Sequence, residues 1–300
     1  MKNYIIYISI FLFSIIKSQN NENEIIDSLI YDTHFQKINS NYSTTLGRDS
    51  DPKLISDITK HSLSKRKLIW EVITLPGLRF IMNLLYPKST ITHFNVNNAV
   101  ALTIDDGFCG IDNKNGCMVE EVSTLLKSYN AHATFFVAGS HCNNNSIQEI
   151  NNLINDGNEI ANHNMVDWSY KNYLIDDFEY DLLLAEKILS KYDQKRTYWY
   201  RAPFGQLSNN MQTIINKHNM VHVLTDAFAH DTFIPDPHWI SKFILRKVKP
   251  GSIILIHMPE RGVREWNYDA LQLILEGLEK KNLAILNLSE IKLLEQNLNK

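Results

Sequence analysis

From Asn98 onward, seven short apolar runs alternate with stretches of helical period, and this rhythm limits the possible folds more than any other feature of the chain. The runs are rich in β-branched and aromatic residues, which favours strands, and the stretches between them predict amphipathic helices. Because strands that alternate with helices form parallel βα units, we expect an α/β fold, a deformed (β/α) barrel of about seven parallel strands. The predicted strands span residues 100–104, 133–138, 159–162, 197–200, 222–225, 252–256 and 284–288. The predicted helices span residues 118–129, 146–156, 176–191, 211–217, 239–248 and 268–280.

The competing architecture is an open, doubly wound sheet that binds a nucleotide. That fold needs a glycine-rich loop after its first strand, because backbone amides there hold the phosphates. The chain has Asp105-Asp106-Gly107-Phe108 at this point, which places carboxylates where the phosphates would bind. The formal net charge of −3, with Lys65-Arg66-Lys67 as the one basic run that stands out, also argues against nucleic acid as a partner.

The N-terminal residues have the composition of a secretory signal peptide. Lys2 is followed by an apolar run over residues 4–16 and by polar residues at 17–20, which matches the basic, apolar and polar regions of such a peptide. The apolar run is short for a membrane span. We therefore expect a signal peptide over residues 1–18 and a secreted, extracellular protein with no stable membrane span after cleavage. An uncleaved signal anchor is the alternative.

Residues 19–97 lack this rhythm and predict an irregular N-terminal extension that packs on the barrel domain, which would span residues 98–300. The extension is polar up to residue 64 and apolar over residues 68–86, around Pro76-Gly77. We expect a broken helix packed on the main fold in the apolar part. A helix at a membrane surface is the alternative, and Glu71 and the Pro-Gly break argue against it.

The three cysteines are consistent with one disulfide and one free thiol in an oxidising compartment. A bridge between Cys109 and Cys117 would close a short loop, but with Cys142 also present the spacing leaves the pairing open. No CxxC element is present, which argues against a zinc site made of cysteines. The sequons that would suit a glycosylated secreted protein begin at Asn41, Asn144 and Asn287.

Side chains that carry chemistry recur at one position relative to the predicted strands, at or just past their carboxyl ends. They are Asp105, Asp106, His163, Arg201, Asp226, Asp231 and His257. In a (β/α) barrel the carboxyl ends of all strands meet on one face, and that face carries the active site. The placement therefore predicts one pocket lined by carboxylates, imidazoles and a guanidinium.

Five segments, in order, resemble the motifs of the polysaccharide deacetylase family, also called the NodB-homology group or carbohydrate esterase family 4. They are Thr103-Ile104-Asp105-Asp106-Gly107, His163-Asn164-Met165-Val166-Asp167, Arg201-Ala202-Pro203-Phe204-Gly205, residues 223–232 and Ile254-Leu255-Ile256-His257. The resemblance implies a NodB-like deacetylase domain from about residue 98 to the C-terminus. Two features depart from the family pattern: Asp167 stands where a second metal-binding His is usual, and the fourth segment lacks its usual terminal Trp.

By this resemblance, Asp106 and His163 are ligands of a divalent metal ion, and Asp167 matches the third ligand. The resemblance implies zinc, with cobalt or manganese as alternatives, and the added carboxylate favours a harder ion such as Mn²⁺. The alternative role for Asp167 is to cap the turn at residues 168–170, which would leave the metal two protein ligands. The backbone N–H of Phe204 matches the donor that stabilises the oxyanion.

The remaining site residues match the family's catalytic groups. Asp105 matches the base that takes a proton from water, and Arg201 matches the guanidinium whose planar fork would hold that carboxylate bidentately. His257 matches the general acid, with Asp231 as its carboxylate partner and Asp226 as the second candidate for that partner.

These expectations describe a metal-dependent hydrolase that removes N-acetyl groups from an N-acetylhexosamine polysaccharide, such as chitin or a coat or cell-wall glycan. Two alternatives stay open. One is hydrolysis of another non-peptide C–N bond in a small molecule, since related barrels act on cyclic amides. The other is a catalytically inactive, secreted glycan-binding protein, which the two departures from the family pattern would suit.

Overall fold

The computed structural model describes residues 60–73, 89–110, 113, 115–142, 145–195 and 197–298. Within these ranges the chain forms a seven-stranded sheet in which all strand pairs are parallel. The predicted α/β fold, a deformed barrel, is confirmed, whereas the expected signal peptide lies outside the described residues. The strands are β1 (Ala99–Gly107), β2 (Ala133–Val137), β3 (Glu159–Asn162), β4 (Trp199–Tyr200), β5 (Val221–His222), β6 (Ile253–His257) and β7 (Ala284–Leu286).

Helices alternate with these strands, and all six that the periodicity predicts are present. The described helices are α1 (Lys60–Ile73), α2 (Val119–Ser128), α3 (Ile147–Asn155), α4 (Ile175–Leu189), α5 (Asn209–Lys217), α6 (Pro237–Lys247), α7 (Trp266–Lys280) and α8 (Leu288–Leu298). Among the described residues, none of these helices combines the length and the apolar character that crossing a bilayer requires.

Strand β1 is the longest of the described strands and is buried along its whole length. It pairs with β2 along one edge and with β6 and β7 along the other. The even-numbered residues from Val100 to Ile104 join the core beneath the helices, whereas Ala99 and Ala101 join the core inside the barrel. Because side chains alternate between the two faces of a strand, Asp105 continues the set that points inside.

Two irregular segments close the barrel between β5 and β6. After β5 the chain crosses towards β6, where Ala227 pairs with Ile254 in parallel. From the N-terminal side, the segment 91–93 bridges both edges, with Val223 as its partner on one and Ser252 on the other. The fifth strand is therefore shorter than the predicted 222–225, because the chain leaves β4 to reach β6.

The amino ends of the strands are filled by an apolar cluster. It includes Phe94 from the N-terminal segment, Trp199 from β4, and Leu288 and Ile291 from α8. These side chains are buried, with Phe94 only 1% exposed. The cluster forms a packed floor at the end of the barrel opposite the predicted site.

Helix α8 was not predicted, although its first residues carry a start signal. The Glu290 N–H donates to Asn287 Oδ1 at 2.8 Å, and the Asn287 N–H donates to Glu290 Oε2 at 3.1 Å, which is a reciprocal capping box. Asn287 Nδ2 also donates to the Gly157 carbonyl at 3.0 Å. Asn287 is thus buried, with both atoms of its side-chain amide in hydrogen bonds; the sequons at Asn41 and Asn144 lie outside the described residues.

Helix α1 is the described part of the predicted broken helix, and it packs on the segment that leads into α6. The Trp70 ring lies 5.6 Å from the ring of Phe228 and 5.0 Å from that of His230, between centroids. Arg246 Nη2 donates to both carboxylate oxygens of Glu71, at 2.6 and 2.7 Å. Residues 74–88, which include the Pro-Gly break, lie outside the described residues, and the limits of the extension stay a prediction.

The structure also fixes the cysteine pairing that the spacing left open. Cys109 and Cys117 form a disulfide that closes the loop after β1. Cys142 is a buried free thiol, and burial raises its pKa to about 11. A thiol with so high a pKa is a poor nucleophile.

A substitution at Gly251 tests how closely the backbone packs at the floor of the barrel. It lies in the turn before β6 with a φ of +78°, and a Cβ atom there would stand 1.9 Å from the Phe94 carbonyl oxygen. We expect Gly251→Ala to lower the free energy of unfolding by at least about 3 kcal/mol, because the backbones must separate. The matched control is Gly116→Ala, at a φ of +95° with nothing within 4 Å of the new Cβ, which should cost only the left-handed strain of about 1–2 kcal/mol. Urea denaturation measures both losses, and equal losses would contradict the interpretation.

Candidate metal centre and active site

A bulge in β1 brings two consecutive carboxylates to the same opening. In a regular strand, Asp105 and Asp106 would point to opposite faces of the sheet. The pairing of β1 with β2 shifts between Ile104 and Gly107, and Asp106 has a φ of +59°, in the left-handed region. Bulges commonly re-aim a side chain beside an active site. Here both carboxylates reach partners at the carboxyl ends of β3 and β4, which are His163 and Arg201.

The three side chains expected to hold a metal ion lie together. Asp106, His163 and Asp167 each offer a ligand atom, and these atoms lie within 4.8 Å of one another. His163 Nε2 is 3.7 Å from Asp106 Oδ1, while its Nδ1–H donates to the Arg201 carbonyl at 2.8 Å. Ligating histidines are commonly held in this way, because the bond at one nitrogen leaves the lone pair of the other for the metal. The donor set therefore fits a divalent cation.

Asp167 lies beside Asp106 and His163, where the expected third ligand would lie. The Trp168 N–H donates to the Val166 carbonyl, so the turn at this point closes on the backbone. Burial, together with the negative charge of Asp106, raises the pKa of Asp167 to about 6. A cation between these two carboxylates would replace their repulsion by attraction to a shared ion.

Asp105 is held by Arg201, as expected, but not bidentately. Arg201 Nη1 donates to Asp105 Oδ1 at 2.6 Å and also to Thr103 Oγ1 at 2.8 Å. Its Nε–H donates to the Val223 carbonyl at 3.1 Å, and the guanidinium carbon lies 4.2 Å from the centre of the Phe136 ring. Nη2 finds no hydrogen-bond partner among the described residues. The bidentate expectation is wrong because two of the donors are directed at other acceptors.

His257 pairs with Asp231, the first of its two candidate partners. His257 Nδ1–H donates to Asp231 Oδ1 at 2.9 Å, and the His257 backbone N–H donates to Oδ2 at 2.7 Å. Burial opposes the charge of the imidazole, but Asp231 outweighs it and raises the pKa of His257 to about 9. Asp226 is not the partner, since it accepts from the Ile253 N–H and from Ser252 Oγ instead.

Phe204, the expected oxyanion donor, has an unusual backbone conformation. Its φ of +56° and ψ of 9° lie in the left-handed region, where a non-glycine residue is strained and often functional. The N–H groups of Gly205 and Gln206 close the turn on the carbonyls of Ala202 and Pro203, and this turn makes no use of the Phe204 N–H. The phenyl ring is 61% exposed.

One segment after β6 supplies contacts that the sequence analysis missed. Asn267 Nδ2 donates to Asp231 Oδ2 at 2.9 Å and to the His257 carbonyl at 3.0 Å. Trp266 Nε1–H donates to the Asp231 carbonyl at 2.8 Å, and Arg264 Nη1 donates to Asp106 Oδ2 at 2.8 Å. Their position in the sequence could have identified them, because they follow the carboxyl end of β6, which carries His257.

The charges of the site are close to balance only with a divalent cation. The carboxylates are Asp105, Asp106, Asp167, Asp231 and Glu260, and the cations are Arg201, Arg264 and protonated His257. With all of these groups ionised, two negative charges remain. Buried charge that is not compensated is costly, and the donor set described above supplies a place for the missing positive charge.

Comparisons with known proteins show which proteins this chain is similar to. Residues 95–223 match the model of a family described as polysaccharide deacetylase. The chain is similar to a peptidoglycan-N-acetylglucosamine deacetylase of Bacillus cereus, with 26% identity over 211 residues that cover 69% of this chain and 95% of the relative. It is also similar to a chitooligosaccharide deacetylase of Sinorhizobium fredii, with 29% identity over 160 residues that cover 53% of this chain and 71% of the relative.

A solved structure shares the fold. A carbohydrate esterase family 4 pseudoenzyme from Bacillus anthracis matches with a TM-score of 0.58 and 21% identity, over 69% of each chain. At this identity the likeness concerns the fold alone.

The imidazole of His257 should titrate according to its pairing with Asp231. In the metal-free protein we expect a pKa of about 9 by NMR, and we expect Asp231→Asn to bring it below 6.5, because burial then acts without its main opposing charge. Asp226→Asn is the matched control and should leave the pKa high. Since the folded pKa is raised, the pair stabilises the fold fully below about pH 6.5, and this stabilisation is lost as the pH rises through 9. An unshifted His257 in Asp231→Asn would contradict the assignment.

Proposed function

Because the chain belongs to the polysaccharide deacetylase family, we propose that it is a metal-dependent hydrolase that removes N-acetyl groups from an N-acetylhexosamine polysaccharide. One observation carries the proposal: three ligand side chains, a carboxylate held by a guanidinium, and an imidazole held by a carboxylate converge at the carboxyl face of the barrel. Metal-assisted hydrolysis of an amide requires a site for a cation, a base and an acid, and these groups supply all three.

Asp105 is the proposed base. Arg201 holds its Oδ1, which leaves Oδ2 to accept a proton from the attacking water. A divalent ion held by Asp106, His163 and Asp167 would supply Lewis acidity, which polarises the acetyl carbonyl and makes water easier to deprotonate. Arg201 fixes the orientation of the base from the barrel interior, so the proton transfer needs no rearrangement of the protein.

His257 is the proposed acid. With its pKa raised to about 9, the imidazole is protonated at neutral pH. Because Nδ1–H donates to Asp231, the proton on Nε2 is the one delivered to the leaving nitrogen. The side chain is 22% exposed whereas that of Asp231 is fully buried, which gives the imidazole access to substrate. The Phe204 N–H would donate to the oxyanion of the tetrahedral intermediate. The products are acetate and the free amine of the sugar.

Zinc is the proposed metal. Two carboxylate oxygens and one imidazole nitrogen form an accepted zinc set with an open position. The same set also suits manganese, because oxygen ligands favour harder ions. Metal content of the purified protein distinguishes the two.

An N-acetylglucosamine polymer is the proposed substrate class. The names of the two relatives refer to peptidoglycan N-acetylglucosamine and to chitooligosaccharide, both N-acetylated glycans. We further propose that the domain acts outside the cytosol. The Cys109–Cys117 disulfide supports this, because disulfides persist in oxidising compartments.

Acetate release tests the proposal. We expect the purified protein to release acetate from N-acetylglucosamine oligomers, to stop when a chelator removes the metal, and to recover when Zn²⁺ is added back. Asp105→Asn should lower kcat by at least about 100-fold, since it removes the base, while metal content stays near that of the wild type. His163→Ala should lose the metal.

Two results would count against these roles. Full activity of Asp105→Asn would remove Asp105 as the base. No acetate from the metal-loaded wild type, combined with measurable binding of the same oligomers, would instead support the glycan-binding alternative.

A further inference from the structure

Arg264 contacts a proposed metal ligand directly, and no step above uses it. Its Nη1 donates to Asp106 Oδ2 at 2.8 Å, and both side chains are buried. The other oxygen of the same carboxylate, Oδ1, is the one that lies 3.7 Å from His163 Nε2. The two oxygens of Asp106 are therefore divided between a guanidinium and the ligand cluster.

Glu260 is the second carboxylate that pairs with Arg264. Glu260 Oε1 is 3.5 Å from Arg264 Nη2, while Oε2 accepts from the Gly110 N–H at 3.3 Å and from Asn113 Nδ2 at 3.0 Å. The Glu260 backbone also forms an antiparallel bridge with Cys117. Arg264 is thus tied to the disulfide-closed loop that follows Asp106 along the chain.

The charges explain why this guanidinium and a metal ion can coexist. Arg264 lies between the carboxylates of Asp106 and Glu260, and a guanidinium stays charged in proteins. Asp167 adds a carboxylate where the family pattern has a neutral imidazole. With five carboxylates against three cations, the site keeps two negative charges for a divalent ion even when Arg264 is in place.

We propose that Arg264 is a positioning residue for the metal site: with Glu260 behind it, it holds Oδ2 of Asp106 so that Oδ1 is directed at the cation. The inference rests on the proposed function only for the identity of the ligands, and it concerns metal affinity, which is measured without any glycan. Partners of ligating side chains in other metal sites typically contribute about 10- to 100-fold to affinity or activity.

Zn²⁺ affinity tests the proposal on the full protein, by calorimetry in competition with a chelator. We expect Arg264→Gln to weaken Zn²⁺ binding by about 10- to 100-fold. Arg264→Lys keeps the charge, but a single ammonium group cannot donate to Asp106 and Glu260 together as the planar guanidinium does. Zn²⁺ binding should therefore also weaken in this variant, by a smaller factor. Glu260→Gln should also weaken Zn²⁺ binding, because it removes the charge that holds Arg264 and leaves Asp106 intact.

Arg261→Gln is the matched control. Arg261 lies three residues away in the same segment and pairs with Glu121 at the surface, so its loss should leave Zn²⁺ affinity unchanged. Circular dichroism establishes that each variant is folded, and if Arg264→Gln is not, the lysine and Glu260 variants decide the question.

Tighter Zn²⁺ binding by Arg264→Gln would overturn the proposal, because it would make Arg264 a competitor of the metal. Wild-type affinity in both Arg264→Lys and Glu260→Gln would overturn it as well, since charge alone would then suffice. These outcomes are distinct from failure of the proposed function: a protein that releases no acetate still shows the predicted order of Zn²⁺ affinities if Arg264 positions Asp106.

Discussion

The site depends on one backbone constraint, which is that two neighbouring residues of a strand must serve the same opening. A regular strand forbids this, because consecutive side chains point to opposite faces. The chain meets the constraint with the shifted register of β1 and the left-handed backbone of Asp106. Asp105 remains in the interior set begun by Ala99 and Ala101, while Asp106 is turned towards His163. The proposed base and the first proposed metal ligand can therefore come from adjacent residues.

Each reactive group is also held by an oppositely charged or polar partner. Asp105 has Arg201, His257 has Asp231, and Asp106 has Arg264. Removing one member of a buried pair leaves the other uncompensated, which is generally more costly than never having had the pair. The segment that carries Arg264, Trp266 and Asn267 supports two of these three groups. It runs from the end of β6 into the first turn of α7, so the same short stretch of chain holds the proposed acid and the proposed metal ligand Asp106.

The sequence was sufficient for the strands, for their parallel order and for the residues at their carboxyl ends. These follow from patterns that are local and repeated, so they can be read before the chain is folded. The role of Arg264 could not be read in this way, because it depends on a contact across 158 residues with Asp106. The same holds for the choice between Asp231 and Asp226, since both follow β5 and only the closure of the barrel against β6 decides which one meets His257.

Helix α8 is a different case, because its signal was present and was missed. The residues from Asn287 to Glu290 form a capping box, but the preceding apolar run extended the predicted strand to residue 288. The bidentate geometry expected for Arg201 failed for a further reason. Its other donors are used by Thr103 and Val223, and those distances depend on how β1 and the segment after β5 approach one another.

The packed floor of the barrel has a consequence for the way a long substrate can reach the carboxylates. Phe94, Trp199 and two side chains of α8 pack together at the far end, which closes the described part of the barrel to a polymer that would thread along its axis. The proposed glycan would then approach from the carboxyl face, where Phe204 is exposed. Its sugar backbone would lie across the entrance of the barrel, and only the acetamide group would reach the carboxylates at the carboxyl ends of the strands.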